Sequence, residues 1–338
     1  EKGIEKHSGS SAKAFKGIET GSGNMVRLTI DKHFMHGFVN QPGDNYFIEP
    51  LWYHLPDAER DLFLVYPESA VVKDLDVTCI EVGSETAHNH LEKLLENQTS
   101  MSESYACYEV EIAIASDKSM HTKYGSVGAV EAHNIAVIND VEGIYIGNFN
   151  HDIEFEIVTQ FVVTGTDPWT SSTNAGTLLS SFRSWGNGGG FGVSFDNGEL
   201  WTNRDFDGST IGIAYLQGMC NSNKYHCLQD FSSNPLLLRG LTAHEIGHNF
   251  SATHDGTGAC PPNYVMCPFV TTSPNWSSNS VDQISAYITN RINSGCLQAC
   301  GGNPPLSADF DWSPNPACED DPVQFTDMSS GPISSRSW

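Results

Sequence analysis

His244-Glu245-Ile246-Gly247-His248 sets two imidazoles four residues apart, with a carboxylate directly after the first. On a helix, positions four apart share a face, so both rings can turn a nitrogen toward one ion. Glu245 is rotated by about 100° from His244 and reaches the ion's surroundings without ligating it. This geometry suits zinc-assisted hydrolysis. Zinc takes imidazole nitrogen at about 2.0–2.1 Å, and a catalytic site keeps three protein ligands plus an open position for water. Glu245 is then the general base, taking the water proton and passing it to a leaving amine. The third nitrogen must come from outside the helix. His254 lies six residues past His248, and Met266 twelve residues further on. The helix therefore has to stop and the chain turn back. Ser251 stands in that turn, where left-handed backbone costs about 1–2 kcal/mol. A structural zinc would need a fourth protein ligand, and spacing places no further Cys or His with the triad.

The elements that must position these groups read as follows. Asn234 is an N-cap candidate and Pro235 suits the first helical position, so the spacing predicts a helix over 235–249. Residues 110–115, 153–163 and 211–216 read as strands, and 127–139 and 177–185 as helices. Strands alternating with helices indicate an α/β layer domain. The glycine run 186–190 lacks the Lys-Ser/Thr ending of a phosphate loop and reads as a surface loop.

Upstream, residues 25–30, 37–39, 46–48 and 62–66 are strand candidates of a small β-unit, with Gln41-Pro42-Gly43-Asp44 as a turn. Residues 1–20 are expected to be a frayed end. A helix is expected over 85–98; His88 and His90, two apart, do not share a face of it. Residues 98–104 read as an exposed linker and processing site. After a Gly-Pro linker at 301–305, residues 308–310, 323–327 and 337–338 read as strands of a separate all-β module.

A chain of 338 residues with 39% hydrophobic content can bury two or three cores. Its net charge of −24 argues against nucleic acid or an anionic membrane as partner. No apolar run is long enough for a transmembrane helix. Residue 1 does not open a signal peptide and the chain stops inside a strand-like stretch, so a piece of a longer precursor is expected. Nine cysteines without a Cys-x-x-Cys pair favour secretion with disulfides, leaving one thiol over.

At His244, Glu245, His248, His254 and Asp255 the sequence resembles the metzincin metallopeptidases, and Asp255 points to their adamalysin (reprolysin) branch. The likeness extends over 107–303. It includes Asp205-Phe206-Asp207-Gly208, Gly218-Met219-Cys220 and Tyr264-Val265-Met266-Cys267-Pro268, the last resembling the Met-turn beneath the metal. Ser251 departs from the family's glycine. The resemblance implies a secreted, monomeric zinc endopeptidase acting on proteins and peptides. Substrate would add as a strand to Gly212, Ile213, Ala214, Tyr215 and Leu216, an open sheet edge. The main side-chain pocket would be walled by about 265–272. It further implies a calcium site at Glu111, Asp196, Asn303 and the Cys300 carbonyl, and a Cys220–Cys300 disulfide. Residues 38–66, above all 45–51, resemble a reprolysin propeptide, which makes Cys79 a candidate cysteine switch at the zinc. Residues 306–338 resemble the start of a PKD domain. The expected organisation is a β-rich propeptide and linker over 1–103, an α/β (α+β) peptidase with twisted mixed sheet over 104–303, and a truncated immunoglobulin-like β-sandwich over 304–338. Two alternatives stand beside it: an inactive binding protein on the same fold, and a thermolysin-type site with a downstream glutamate as third ligand.

Overall fold

The computed structural model describes residues 11–32, 34–71, 77–83, 106–256, 260 and 263–300, with the backbone of two further strands, Phe310–Ser313 and Gln324–Asp327. The helix expected over 85–98 with its two histidines, the linker at 98–104, Asn303 and residues 337–338 lie outside the described residues.

A five-stranded antiparallel meander comes first: β1 (Lys13–Ile18), β2 (Met25–Asp31), β3 (Phe34–Val39), β4 (Tyr46–Pro50) and β5 (Phe63–Pro67). The frayed end expected at 1–20 is corrected in part: Lys13–Ile18 pairs along its whole length with β2. All six of its side chains are exposed, so backbone hydrogen bonds rather than an apolar pattern make it a strand.

The second sheet is mixed. β7 (Cys107–Ser116) pairs in parallel with β8 (Asp152–Val162) on one side and β9 (Asn197–Thr202) on the other. β11 (Tyr225–Gln229) follows in parallel, then β10 (Thr210–Tyr215) antiparallel to it. The last strand is β6 (Thr78–Val82), parallel to β10. The short β12 (Gln298–Ala299) pairs with Tyr108 and Glu109 of β7. Residues 112–115 have no exposed surface, as expected of a strand covered on both faces. β13 (Phe310–Ser313) and β14 (Gln324–Asp327) form an antiparallel pair.

Five helices pack on the second sheet. α1 (Lys118–Tyr124) and α2 (Val127–Tyr145) open on side-chain caps from Asp117 and Ser126. α3 (Ala175–Asn187) lies on one face with the aromatic core of Trp169, Phe182, Phe191 and Tyr225. Gly186 is buried as part of α3, while Gly188 and Gly189 form an exposed turn after it, as the surface-loop reading has it. α2, α4 (Pro235–Asn249) and α5 (Ser278–Asn293) cover the opposite face through Val141, Leu241, Ile246 and Ile284. The N-cap side chain of Asn234 accepts from the Leu236 N–H, as expected.

The Cys220–Cys300 pairing is corrected. Pairing of β12 with β7 brings Cys300 to Cys107, and the Cys300 N–H donates to the Cys107 carbonyl at 3.0 Å. Cys220 is bonded instead to Cys296, just past α5, and Cys260 to Cys267. Two described cysteines are free and buried, Cys79 and Cys227, where one unpaired thiol was expected.

α2 is buried on both sides because the first sheet covers its polar face. Arg27 donates to Glu142 at 2.8 Å, Asn139 to Thr29 at 3.2 Å, and His36 faces Asp140 at 3.4 Å. His133 sits among Tyr53, Tyr124 and Trp201, its Nδ1 3.1 Å from the Tyr124 hydroxyl. Burial, with Lys123 second, lowers its pKa to about 3. The native ring stays neutral, while the unfolded ring takes a proton below about pH 6.5. His133 therefore stabilises the fold above that pH, and the contribution is lost as pH falls toward 3. His36 behaves alike, but Asp140, raised to about 7 by burial, binds a proton natively and contributes the opposite slope. Urea midpoints at pH 7 and pH 5 should therefore drop less in His133→Gln than in the parent. The parent's extra slope should approach about 1.4 kcal/mol per pH unit.

Candidate metal centre and active site

α4 runs to Asn249 and carries His244, Glu245 and His248, none with exposed surface. The chain then reverses: Ser251 has φ 82°, the left-handed geometry expected of that turn. Its N–H donates to the His248 carbonyl at 2.9 Å. Reversal brings His254 back to the helix. The Nε2 atoms of His248 and His244 are 2.9 Å apart, and those of His244 and His254 3.2 Å.

Each helical imidazole is held from behind. The Nδ1 of His244 lies 2.7 Å from the Val265 carbonyl, and that of His248 2.7 Å from the Ala252 carbonyl. Nδ1 must then carry the proton, which leaves a lone pair on Nε2. Burial, then the neighbouring histidines, lowers both pKa values, to about 3 for His244. Neutral lone pairs aimed at one point repel unless a cation lies among them. The donor set therefore fits zinc, which prefers imidazole nitrogen and tetrahedral closure. His254 fills the third place, so the spacing with a downstream glutamate is not needed.

The loop around Met266 lies beneath the ligands. A Cβ on Gly247 would meet Met266 Sδ at 2.6 Å, so the helix has glycine where the methionine approaches. Asp255 ties the third histidine to this loop and to α5. Its N–H donates to the Met266 carbonyl at 2.7 Å, and its carboxylate accepts from the Ser277 and Ser280 hydroxyls.

Glu245 is fully buried, and its carboxylate faces the Cys79 thiol. Burial pushes its pKa well up. β10 passes so close that a Cβ on Gly212 would lie 2.2 Å from Glu245 Oε1. Gly212, read only as part of a substrate strand, is thus also what lets the sheet edge reach the carboxylate. Ile213, Ala214, Tyr215 and Leu216 continue that edge and are buried.

The open edge is corrected. β6 occupies it, with Gly212 opposite Cys79 and Ala214 opposite Glu81. Cys79 and Glu81 alternate along the strand and so share its inner face. Cys79 Sγ, a His244 ring nitrogen and a Glu245 oxygen lie within 4.8 Å of one another. Burial, then Glu245, pushes the thiol pKa up. Glu81 Oε2 lies 3.5 Å from His248 Nδ1. Sequence reading missed Glu81 because the strand's pattern is inverted, with Ile80 and Val82 exposed while Glu81 shares the inner face with Cys79.

A cavity of about 460 Å³ lies beside the Met266 loop, lined by Leu237, Phe269, Val270 and Thr272 among others, with Glu68 of the first unit at its rim. Phe269 to Thr272 of its lining fall within the stretch expected to wall a side-chain pocket. Of the expected calcium groups, Asp196 Oδ2 accepts from the Glu111 backbone N–H at 3.0 Å, a contact that involves the main chain of Glu111 and not its carboxylate. Lys224 accompanies them. Burial lowers its pKa while Asp196 and Glu111 push it back up, and its ammonium lies 3.8 Å over the Phe195 ring. Asn303 is outside the described residues.

Histidines on and after a helix, a buried carboxylate and a methionine loop below them define a zinc metallopeptidase type of centre on a mixed α/β domain. Residues 107–294 match the reprolysin model of metallo-peptidase family M12. Two snake venom metalloproteinases of Deinagkistrodon acutus are similar: acutolysin-C, 27% identical over 271 residues, and H5, 26% identical over 264. Each alignment covers 76% of this chain and 62% or 64% of the relative, so the chain spans less than two thirds of their length. The chain belongs to the reprolysins of family M12, the adamalysin-type metzincins.

Replacing His254 by Ala should remove one of three metal nitrogens. Zinc affinity, measured by competition with a chromophoric chelator, should fall by more than the ~10–100-fold that loss of an outer partner costs. An unchanged affinity would place the third ligand elsewhere.

Proposed function

We propose that the chain is a zinc-dependent endopeptidase made in a latent form. The observation that carries this is the convergence of three Nε2 atoms beside the fully buried carboxylate of Glu245. Family membership supports it. Zinc, when bound, supplies a Lewis acid that polarises the scissile carbonyl and makes water acidic enough to lose a proton. Glu245 takes that proton and delivers it to the leaving nitrogen. His244 and His248 stay neutral, held by the Val265 and Ala252 carbonyls. An extended protein or peptide substrate pairs with Gly212 to Leu216 along the edge, which suits cleavage within a chain. One of its side chains enters the cavity walled by 269–272.

Residues 1–103 act as propeptide and linker, 104–303 as the peptidase, and 304–338 as the start of a PKD-like module. Latency comes from β6. It takes the substrate's place on β10, and Cys79 brings a thiol, a good zinc ligand, to the open position. Glu81 adds a carboxylate on the same face and disfavours the ionised form of Glu245 that the base needs. Three disulfides support secretion. No helix among the described residues is long and apolar enough to cross a membrane. Zinc is the metal assigned to the reaction. A calcium ion at Glu111, Asp196 and the Cys300 carbonyl would share its surroundings with the Lys224 ammonium, whose charge those carboxylates already favour.

Glu245→Gln should abolish cleavage of a fluorogenic peptide, a loss of at least the ~10²–10⁴-fold a general base contributes, while zinc stays bound. Retained turnover would overturn the assignment. Cys79→Ala should raise activity of the uncleaved full chain by roughly tenfold or more, about 1.4 kcal/mol of lost competition. Glu81→Ala should give a smaller gain, and no gain from Cys79→Ala would rule out the thiol as the block.

A further inference from the structure

Behind the metal helix lies a buried polar chain that the reaction itself does not use. Trp201 Nε1 donates to Glu199 Oε1 at 2.6 Å. Glu199 Oε2 lies 3.0 Å from His226 Nε2, and His226 Nδ1 lies 2.9 Å from Asn249 Oδ1. Asn197 donates to the same Asn249 oxygen at 2.7 Å. Asn249 Nδ2 in turn donates to the Tyr215 carbonyl at 2.8 Å and the Tyr225 carbonyl at 3.3 Å. Asn197, Glu199, Trp201, Tyr225, His226 and Asn249 have no exposed surface.

The hydrogen bonds fix the protons. Asn249 gives both amide hydrogens to carbonyls, so its oxygen only accepts. His226 must therefore carry a proton on Nδ1. A single further proton lies between Nε2 and Glu199, either as an ion pair or as a carboxylic acid donating to a neutral ring. In both cases Nδ1–H points at Asn249.

Asn249 occupies a decisive place. It follows His248 and precedes Ser251, whose left-handed backbone starts the return to His254. The β10–β11 turn is bolted to the same helix end: Gln217 N–H donates to the His248 carbonyl at 2.9 Å, and Met219 N–H to the Asn249 carbonyl at 3.1 Å. Tyr287 OH reaches the Gln217 carbonyl at 2.8 Å.

We propose that Glu199 and His226 are positioning residues. Through Asn249 they fix where α4 ends, and so hold the second and third metal nitrogens in register with the substrate edge at Tyr215. The inference rests on the zinc reading above and adds residues that touch neither metal nor substrate. What matters is a fixed Nδ1–H donor, not a buried charge. Glutamine at 199 can serve as well, its amide donating to a neutral His226 and its oxygen accepting from Trp201.

The test uses the full chain and three variants, Glu199→Gln, Glu199→Leu and His226→Leu. Zinc dissociation constants come from chelator competition, the cobalt(II) spectrum reports coordination, and the metal-free melting temperature reports the fold. Wild-type chain that fails to bind zinc would sink the zinc reading itself. With wild type binding, Glu199→Gln should match it. Glu199→Leu, and His226→Leu where it folds, should lose ~10–100-fold in zinc affinity, the usual effect of losing an outer partner, with an altered cobalt spectrum. The proposal is overturned if folded Glu199→Leu binds zinc like wild type, or if Glu199→Gln loses as much as Glu199→Leu.

Discussion

Three neutral imidazoles, with His244 Nε2 at 2.9 Å from that of His248 and 3.2 Å from that of His254, are the constraint on which the rest of the structure depends. His244 and His248, both protonated on Nδ1, present lone pairs to one another and do not attract without a cation between them, so the surrounding fold has to hold them there. Backbone carbonyls do part of this, taking the Nδ1 protons of His244 and His248. Fixed carbonyls are suited to the task, because a side-chain partner would need its own support. One of the two carbonyls comes from Val265, in the loop that also places Met266 under Gly247. The loop thus sets ring orientation from behind and closes the space below. Asp255 links it to the returning chain, so the third ligand and the loop cannot move independently.

Much of this was legible in the sequence because its signals are local. The four-residue spacing, the N-cap at Asn234 and the proline after it gave the helix to the residue. The strands at 25–30, 46–48 and 110–115 and the helix at 177–185 also lie where periodicity places them. α2 was read too short because its last turn, to Tyr145, carries Asp140 and Glu142 inward against the first sheet. Inward acidic residues break an amphipathic pattern, and only long-range partners such as Arg27 make them tolerable. β9 and β11 were not read at all for the same reason. They are fully buried yet carry Asn197, Glu199 and His226, where an interior strand usually shows an apolar run.

The disulfides show a different limit. The relation of Cys220 to Cys300 came from resemblance, whereas pairing depends on which ends the sheet and helix bring together. β12 joins Cys300 to the first residue of β7, and the end of α5 carries Cys296 to the turn at Cys220. A span of two residues such as β12 has no pattern to detect. The result ties both ends of the peptidase region together through one bond with a sequence separation of 193.

The sheet edge brings these threads together. β10 must lie close to α4 for a bound peptide to reach Glu245, and at Gly212 the approach leaves no room for a side chain. An edge this close to a reactive centre is exposed to any strand that can pair with it. The chain covers the edge with its own segment, and the direction of that segment matters. Running parallel to β10, β6 makes slanted hydrogen bonds that are slightly less stable per residue than an antiparallel ladder. A five-residue parallel strand is therefore a weak cover by itself. What it lacks in ladder strength must come from side chains at alternate positions, and the two that face the metal helix are Cys79 and Glu81. On the latent-form proposal, the cover's contact with the site therefore rests on these two positions, Cys79 beside His244 and Glu245, and Glu81 beside His248.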